Sequence, residues 1–137
     1  MNVLITGITG MVGSHLAEYI CENHPQVNVF GVIRWRSPKD NIIKILKNVN
    51  LIHGDLNDLN SLIKVMNESK PERVFHLAAQ SYVQDSFSMP QETLRTNILG
   101  TTNLLDAIRF CNLDPLIHIC SSSEVYGQVS EKEIPIR

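Results

Sequence analysis

The stretch Val3-Leu4-Ile5-Thr6-Gly7-Ile8-Thr9-Gly10-Met11-Val12-Gly13-Ser14-His15-Leu16 decides how this 137-residue chain folds. It opens on a short apolar run, passes through glycines at 7, 10 and 13, and enters a helical pattern without a gap. Val12, Leu16, Tyr19 and Ile20 recur at the spacing of one helical face. A strand, a glycine turn and a helix in direct succession form the first half of a βαβ unit. One glycine permits the tight turn, a second lets backbone approach a pyrophosphate, and a third lets helix pack closely on strand. The helix N-terminus then offers free N–H groups and its positive dipole end to phosphate. The stretch reads as a dinucleotide cradle, with Gly7, Thr9, Gly10, Met11, Val12 and Gly13 as its candidate contacts.

The same alternation continues outward. Short, largely apolar runs at 2–5, 27–32, 50–53, 73–77 and 116–121 predict strands buried on both faces. Leu59, Leu62, Ile63 and Met66 predict a helix over 59–69, and Leu94, Ile98, Leu105 and Ile108 a long one over 91–110. A shorter helix is predicted over 39–47. Pro71 and Pro115 fall at helix-to-strand joints, where they interrupt no helix. Repeated strand–helix–strand units imply right-handed crossovers and a parallel sheet, so the class is α/β. The doubly wound order expected for five such strands is 3-2-1-4-5. No repeat or low-complexity linker divides residues 1–137, which read as one domain.

Composition narrows the function classes. At 43% hydrophobic and 19% charged, the chain is an ordinary globular sequence rather than a disordered one. The net charge is −2 and Lys and Arg cluster on no element, which argues against a nucleic-acid surface. No apolar run approaches the roughly 20 residues of a membrane span. The strand-like run at Val3 leaves no room for a signal peptide. Cys21, Cys111 and Cys120 lie within apolar patterns and suggest buried thiols in a reducing, cytoplasmic compartment. His15, His24, His53, His76 and His118 show no metal-ligand spacing and read as incidental, and no metal is expected.

The end of the second strand bears on which dinucleotide binds. NAD binders usually carry Asp or Glu there for the ribose hydroxyls. This chain has Arg34-Trp35-Arg36-Ser37 instead. Two guanidinium groups and a hydroxyl suit a ribose 2′-phosphate, so NADP is expected ahead of NAD.

Five segments in order resemble one family, the extended short-chain dehydrogenases/reductases that act as nucleotide-sugar epimerases and dehydratases. They are the glycine triplet, Gly54-Asp55-Leu56, His76-Leu77-Ala78-Ala79-Gln80-Ser81, Asn97-Ile98-Leu99-Gly100-Thr101 and Ser121-Ser122-Ser123-Glu124-Val125-Tyr126-Gly127. The resemblance implies a Rossmann-type fold. It implies that Asp55 and Leu56 lie by the adenine, that Leu77, Ala78, Ala79 and Ser81 lie along the cofactor, and that Asn97 belongs to the same site. From the residues alone, Asp55 is equally a cap for the helix over 59–69, and Asn97 a satisfied polar residue in a helix. Ala78-Ala79-Gln80-Ser81-Tyr82-Val83 with Ser86-Phe87 is most similar to the dehydratases that act on GDP-mannose. Reductases and epimerases of the family share much of the fifth segment.

By that resemblance Ser122 and Glu124 are catalytic. Hydride leaves C4 of the sugar for NADP, Glu124 takes the C5 proton as water departs from C6, and hydride returns to C6. Ser122, where dehydratases commonly have Thr, hydrogen-bonds the C4 oxygen. The family's Tyr-x-x-x-Lys pair has no match, since Tyr126 is followed four residues on by Ser130. The sequence therefore reads as the N-terminal part of a longer enzyme, ending after the fifth strand and inactive alone. A non-catalytic NADP-sensing domain is the competing reading. An uncovered sheet edge and the long helix over 91–110 suggest a homo-oligomer, at least a dimer.

Overall fold

The structure, a computed structural model, describes residues 1–135. Five parallel strands are β1 (Asn2–Thr6), β2 (Asn28–Ile33), β3 (Val49–His53), β4 (Arg73–His76) and β5 (Leu116–Ile119). Their order in the sheet is β3-β2-β1-β4-β5, as the doubly wound reading expects. Chain direction across the sheet reverses between β1 and β4, and a crevice opens at the C-terminal ends of such a pair. The Rossmann-like domain places its first glycine turn and the loop after β4 on either side of that crevice.

Alternation along the buried strands builds two cores. Val3 and Ile5 of β1 join Val29 and Ile33 of β2 against Ala17 and Ile20 of helix α1 (Met11–Asn23). On the other face, Leu4 and Val74 meet Leu62, Val65 and Met66 of α2 (Leu59–Ser69) and Leu104, Ala107 and Ile108 of α5 (Gly100–Phe110). Asp58 caps α2, its side chain accepting from the Asn60 amide, so Asp55 is not that cap.

Three expectations about helices change. In α1 the buried face is Gly13, Ser14, Ala17 and Ile20, whereas Val12 and Tyr19 are exposed. Small residues bring the helix close to the sheet and leave Val12 facing the crevice. Over 39–47 the chain forms a 3-10 segment, Asp40–Ile45, that buries Ile42 and Ile45. The long helix comprises α4 (Pro90–Leu94), a π turn (Arg95–Leu99) and α5. The wider π turn shifts the helical phase. Leu94, Ile98 and Leu105 face outward, and only Ile108 of the expected face over 91–110 is buried, beside Leu104 and Ala107. A short helix not anticipated, α3 (Val83–Ser88), precedes it.

The thiols also differ from expectation. Cys21 and Cys111 are half-buried and Cys120 is exposed, because it follows β5, whose residues are mostly open. Burial, with Glu22 alongside, pushes the Cys21 thiol pKa up. No helix among the described residues is long and apolar enough to cross a membrane.

Candidate functional site

The site begins where β1 ends. Gly7 has φ of 73°, and a Cβ there would lie 2.9 Å from the Ala78 nitrogen. A Cβ on Gly13 would sit 2.2 Å from the Gly7 carbonyl oxygen. Both glycines are therefore sterically required: one for a left-handed turn against the loop after β4, the other for helix-on-turn packing. The Gly10 amide donates to the Gly7 carbonyl and closes the turn. Gly10 caps α1 without a side-chain acceptor, and the first turn holds no acidic residue. The amides of Met11, Val12 and Gly13 precede the first intrahelical bond and point into the crevice region. A cradle with no Cβ and a row of amide donors fits a pyrophosphate.

A cleft of about 590 Å³ runs from this cradle along the ends of β1 and β2. Every residue expected at the cofactor lines it except Arg36 and Asn97. At its far end, Arg34 and Ser37 close a turn on each other: the Ser37 amide donates to the Arg34 carbonyl, and the Arg34 amide to Ser37 Oγ at 3.0 Å. Arg34 and Arg36 are exposed, and neither forms an ion pair among the described residues. Trp35, 84% exposed, leans toward the His53 ring. Asp55 uses Oδ1 to accept from the Asn57 amide, and Leu56 is buried. Asn103 Nδ2 donates to the Leu56 carbonyl at 2.8 Å, which fixes this segment to α5. Asp85, Met89, Glu92 and Thr96 also line the cleft. Sequence reasoning missed them because α3, the short α4 with the residue before it, and the π turn that present them have no strong apolar period.

The loop 77–81 separates that cleft from a second one, about 560 Å³, bounded by Ser121 and Ser122 beyond β5. Asn97 lines only this second side. Its side chain holds the backbone of Gln80 at both ends, accepting from the amide at 2.8 Å and donating to the carbonyl at 3.0 Å. It shapes the loop from behind, which corrects the expectation of a residue facing the cofactor cleft. Gln80 in turn donates to Asp85. Ser122 Oγ accepts from the Glu124 amide and starts a 3-10 turn, Ser123–Tyr126. Glu124 is exposed and lines neither cleft.

His76 is not incidental. It is 4% exposed, with Nδ1 2.8 Å from Thr6 Oγ1 and Nε2 3.0 Å from Thr101 Oγ1. Burial lowers its pKa from the ordinary 6.5 and keeps the ring neutral. The legible signal was a polar residue closing an otherwise apolar strand directly before the loop.

Fold and cleft together define a Rossmann-type α/β domain of the nucleotide-sugar epimerase/dehydratase class. More narrowly, the chain belongs to the GDP-mannose 4,6 dehydratase family, whose model matches residues 4–137. It is 39% identical over 140 residues to the GDP-mannose 4,6 dehydratase of Homo sapiens, covering 93% of this chain and 37% of that protein. Against the GDP-mannose 4,6-dehydratase of Yersinia enterocolitica it is 39% identical over 147 residues, covering 99% and 38%. The chain thus spans little more than a third of these curated relatives. Among solved structures, it matches the UDP-glucose 4-epimerase of Stenotrophomonas maltophila with bound NAD and formylated UDP-arabinopyranose. That match has a TM-score of 0.85 and 26% identity, over 99% of this chain and 40% of that one. The Thermus thermophilus UDP-glucose 4-epimerase complex with NAD matches with a TM-score of 0.81 and 30% identity, over 96% and 41%.

Proposed function

We propose that this chain is the NADP-binding part of a nucleotide-sugar 4,6-dehydratase that acts on GDP-mannose. One observation carries the cofactor reading. The cleft has amide donors of α1 at one end and, where the second strand ends, the Arg34 guanidinium, which forms no ion pair among the described residues. A pyrophosphate suits the first end and a 2′-phosphate the second. Ser37, on the same turn, adds a hydroxyl to that end of the cleft, while Arg36 stands outside it.

When bound, the nicotinamide supplies a hydride acceptor and then a donor within one turnover. This chain's residues would handle the protons. Ser122 would hydrogen-bond the sugar's C4 oxygen and orient it; Glu124 would take the C5 proton and pass it to the C6 hydroxyl, which leaves as water. The Ser122–Glu124 turn sits beside the second cleft, on the far side of loop 77–81 from the phosphate cradle, which suits the sugar. The sugar-binding domain and the residues completing proton transfer would come from other chain segments of the whole enzyme.

Titration calorimetry with NADP and with NAD tests the cofactor reading. Arg34→Ala weakens NADP by about tenfold, close to 1.4 kcal/mol, and leaves NAD almost unchanged. Equal losses for the two cofactors would refute it. The reaction is tested on a full-length chain carrying this domain: GDP-mannose should yield a product lighter by one water. The likeness to UDP-glucose 4-epimerases gives a second reading, an epimerase on the same scaffold, for which product mass equals substrate mass.

A further inference from the structure

The hydrogen bonds around His76 form a chain with only one consistent direction. Thr6 Oγ1 receives the amides of Leu77 and Ala78, both at 3.2 Å, the former shared with the Thr6 carbonyl at 3.3 Å. A hydroxyl has two lone pairs and one proton, so with both lone pairs engaged it donates. Its partner is His76 Nδ1, which must then be bare. The ring proton therefore sits on Nε2 and goes to Thr101 Oγ1, whose own proton goes to the Asn97 carbonyl at 2.7 Å. Moving the proton to Nδ1 would aim an N–H at a hydroxyl with no free lone pair. An imidazolium meets the same conflict.

We propose that His76 is a positioning residue of the cofactor cleft: a neutral, Nε2-protonated imidazole that orients the Thr6 hydroxyl so that it holds loop 77–79 against the Gly7 turn. The loop backs both clefts, and the chain ties it to the π turn through Thr101 and Asn97. Two titratable groups, Tyr82 and Cys120, share the cavity beside the ring, and no carboxylate or cationic side chain lines that cavity among the described residues. Just past β5, the Cys120 amide donates to the His76 carbonyl, while His118 of β5 lies against Phe75, on the other face of β4. Asp85 is reached only through Gln80. No neighbouring charge therefore competes with Thr6 and Thr101 for the ring. The effect on cofactor affinity rests on the function proposed above; the tautomer and the held loop do not.

Nitrogen-15 NMR of the imidazole in the whole chain reads the state directly. The expected spectrum shows a bare Nδ1 and a protonated Nε2. An Nδ1-protonated ring, or a doubly protonated one at neutral pH, overturns the proposal. Hydrogen exchange then tests the loop. His76→Leu should speed exchange at Leu77 and Ala78 by about tenfold and leave Val29 in the distant core unaffected. Thr6→Val should do the same, and the double variant should be no worse than either single one. His76→Asn, whose Oδ1 replaces Nδ1 as acceptor, should restore both protection and dinucleotide affinity. Unchanged exchange at Leu77 and Ala78 in His76→Leu sinks the idea, as does a loss spread evenly over the sheet. Should the variants fail to fold, the parent's ring spectrum decides alone. Should the parent bind no dinucleotide, the proposed function fails while the spectrum and exchange still test His76.

Discussion

The two sides of the crevice are built by opposite means. On one, β1 is buried from Val3 to Thr6 and sits between two neighbours in the sheet, so the glycine cradle stands on the best-packed strand of the domain. On the other, β5 has one neighbour, and three of its four residues are exposed. The segment it carries, with Val125 71% and Tyr126 60% exposed, makes few contacts with the rest of the fold. The cradle is specified by backbone and core packing, and holds its shape because a dozen apolar side chains require it. The Ser122–Glu124 segment is specified by a short turn and depends on whatever covers it for its final form. On the proposed function, the cofactor cradle is shaped within this domain, whereas the Ser122–Glu124 segment is not held by its core.

Stability measurements can break that contrast. Leu4→Ala, which empties a fully buried position between β1 and the α2–α5 layer, should lower unfolding free energy by about 4 kcal/mol in urea denaturation. Gly13→Ala comes next, at about 2–3 kcal/mol, since the new methyl group meets the Gly7 carbonyl. Asn97→Leu should cost about 2 kcal/mol through the two bonds it removes from Gln80. Leu116→Ala on β5, 64% exposed, and Glu124→Gln should each stay within about 0.5 kcal/mol. A Leu116→Ala loss as large as that of Leu4→Ala would erase the distinction between the two sides.

Acid sharpens the same comparison at His76. Its folded pKa is depressed, so the unfolded chain takes up a proton that the folded chain refuses. The resulting stability is complete above the ordinary value of 6.5 and declines as pH falls below it. Urea midpoints measured between about pH 7 and pH 5 should decline in the parent and flatten in His76→Asn. A parallel decline in both proteins would assign the effect to other groups.

Much of this was legible in the sequence, for identifiable reasons. Strands buried on both faces leave apolar runs that stand out between helical periods, so the five strands and α2 could be placed within a residue or two. The cradle was legible because two of its glycines, Gly10 and Gly13, are forced by the Gly7 carbonyl only three and six residues back in sequence. Less legible was whatever depends on a phase change or a long-range partner. The π turn inserts its extra backbone without a sequence marker, and nothing local shows that the Leu94, Ile98 and Leu105 face lies outward or that Asn97 reaches Gln80. The role of His76 depends on Thr6, 70 positions earlier, and Thr101, 25 later, which no local pattern reveals. Arg36 and Arg34 look equivalent as letters, but the turn closed by Ser37 gives only Arg34 to the cleft.

The position of β1 in the sheet also sets a timetable. Of the five described strands it is made first, yet one of its two partners, β4, begins 70 residues later in register, Arg73 beside Val3. At roughly 5–20 residues per second, that interval is on the order of 4–14 s. Throughout it, a strand buried along nearly its whole length has one edge unpaired, and the loop that will close over Gly7 does not yet exist. During synthesis, the cradle is therefore among the first parts of the domain to be made and among the last to take its final shape.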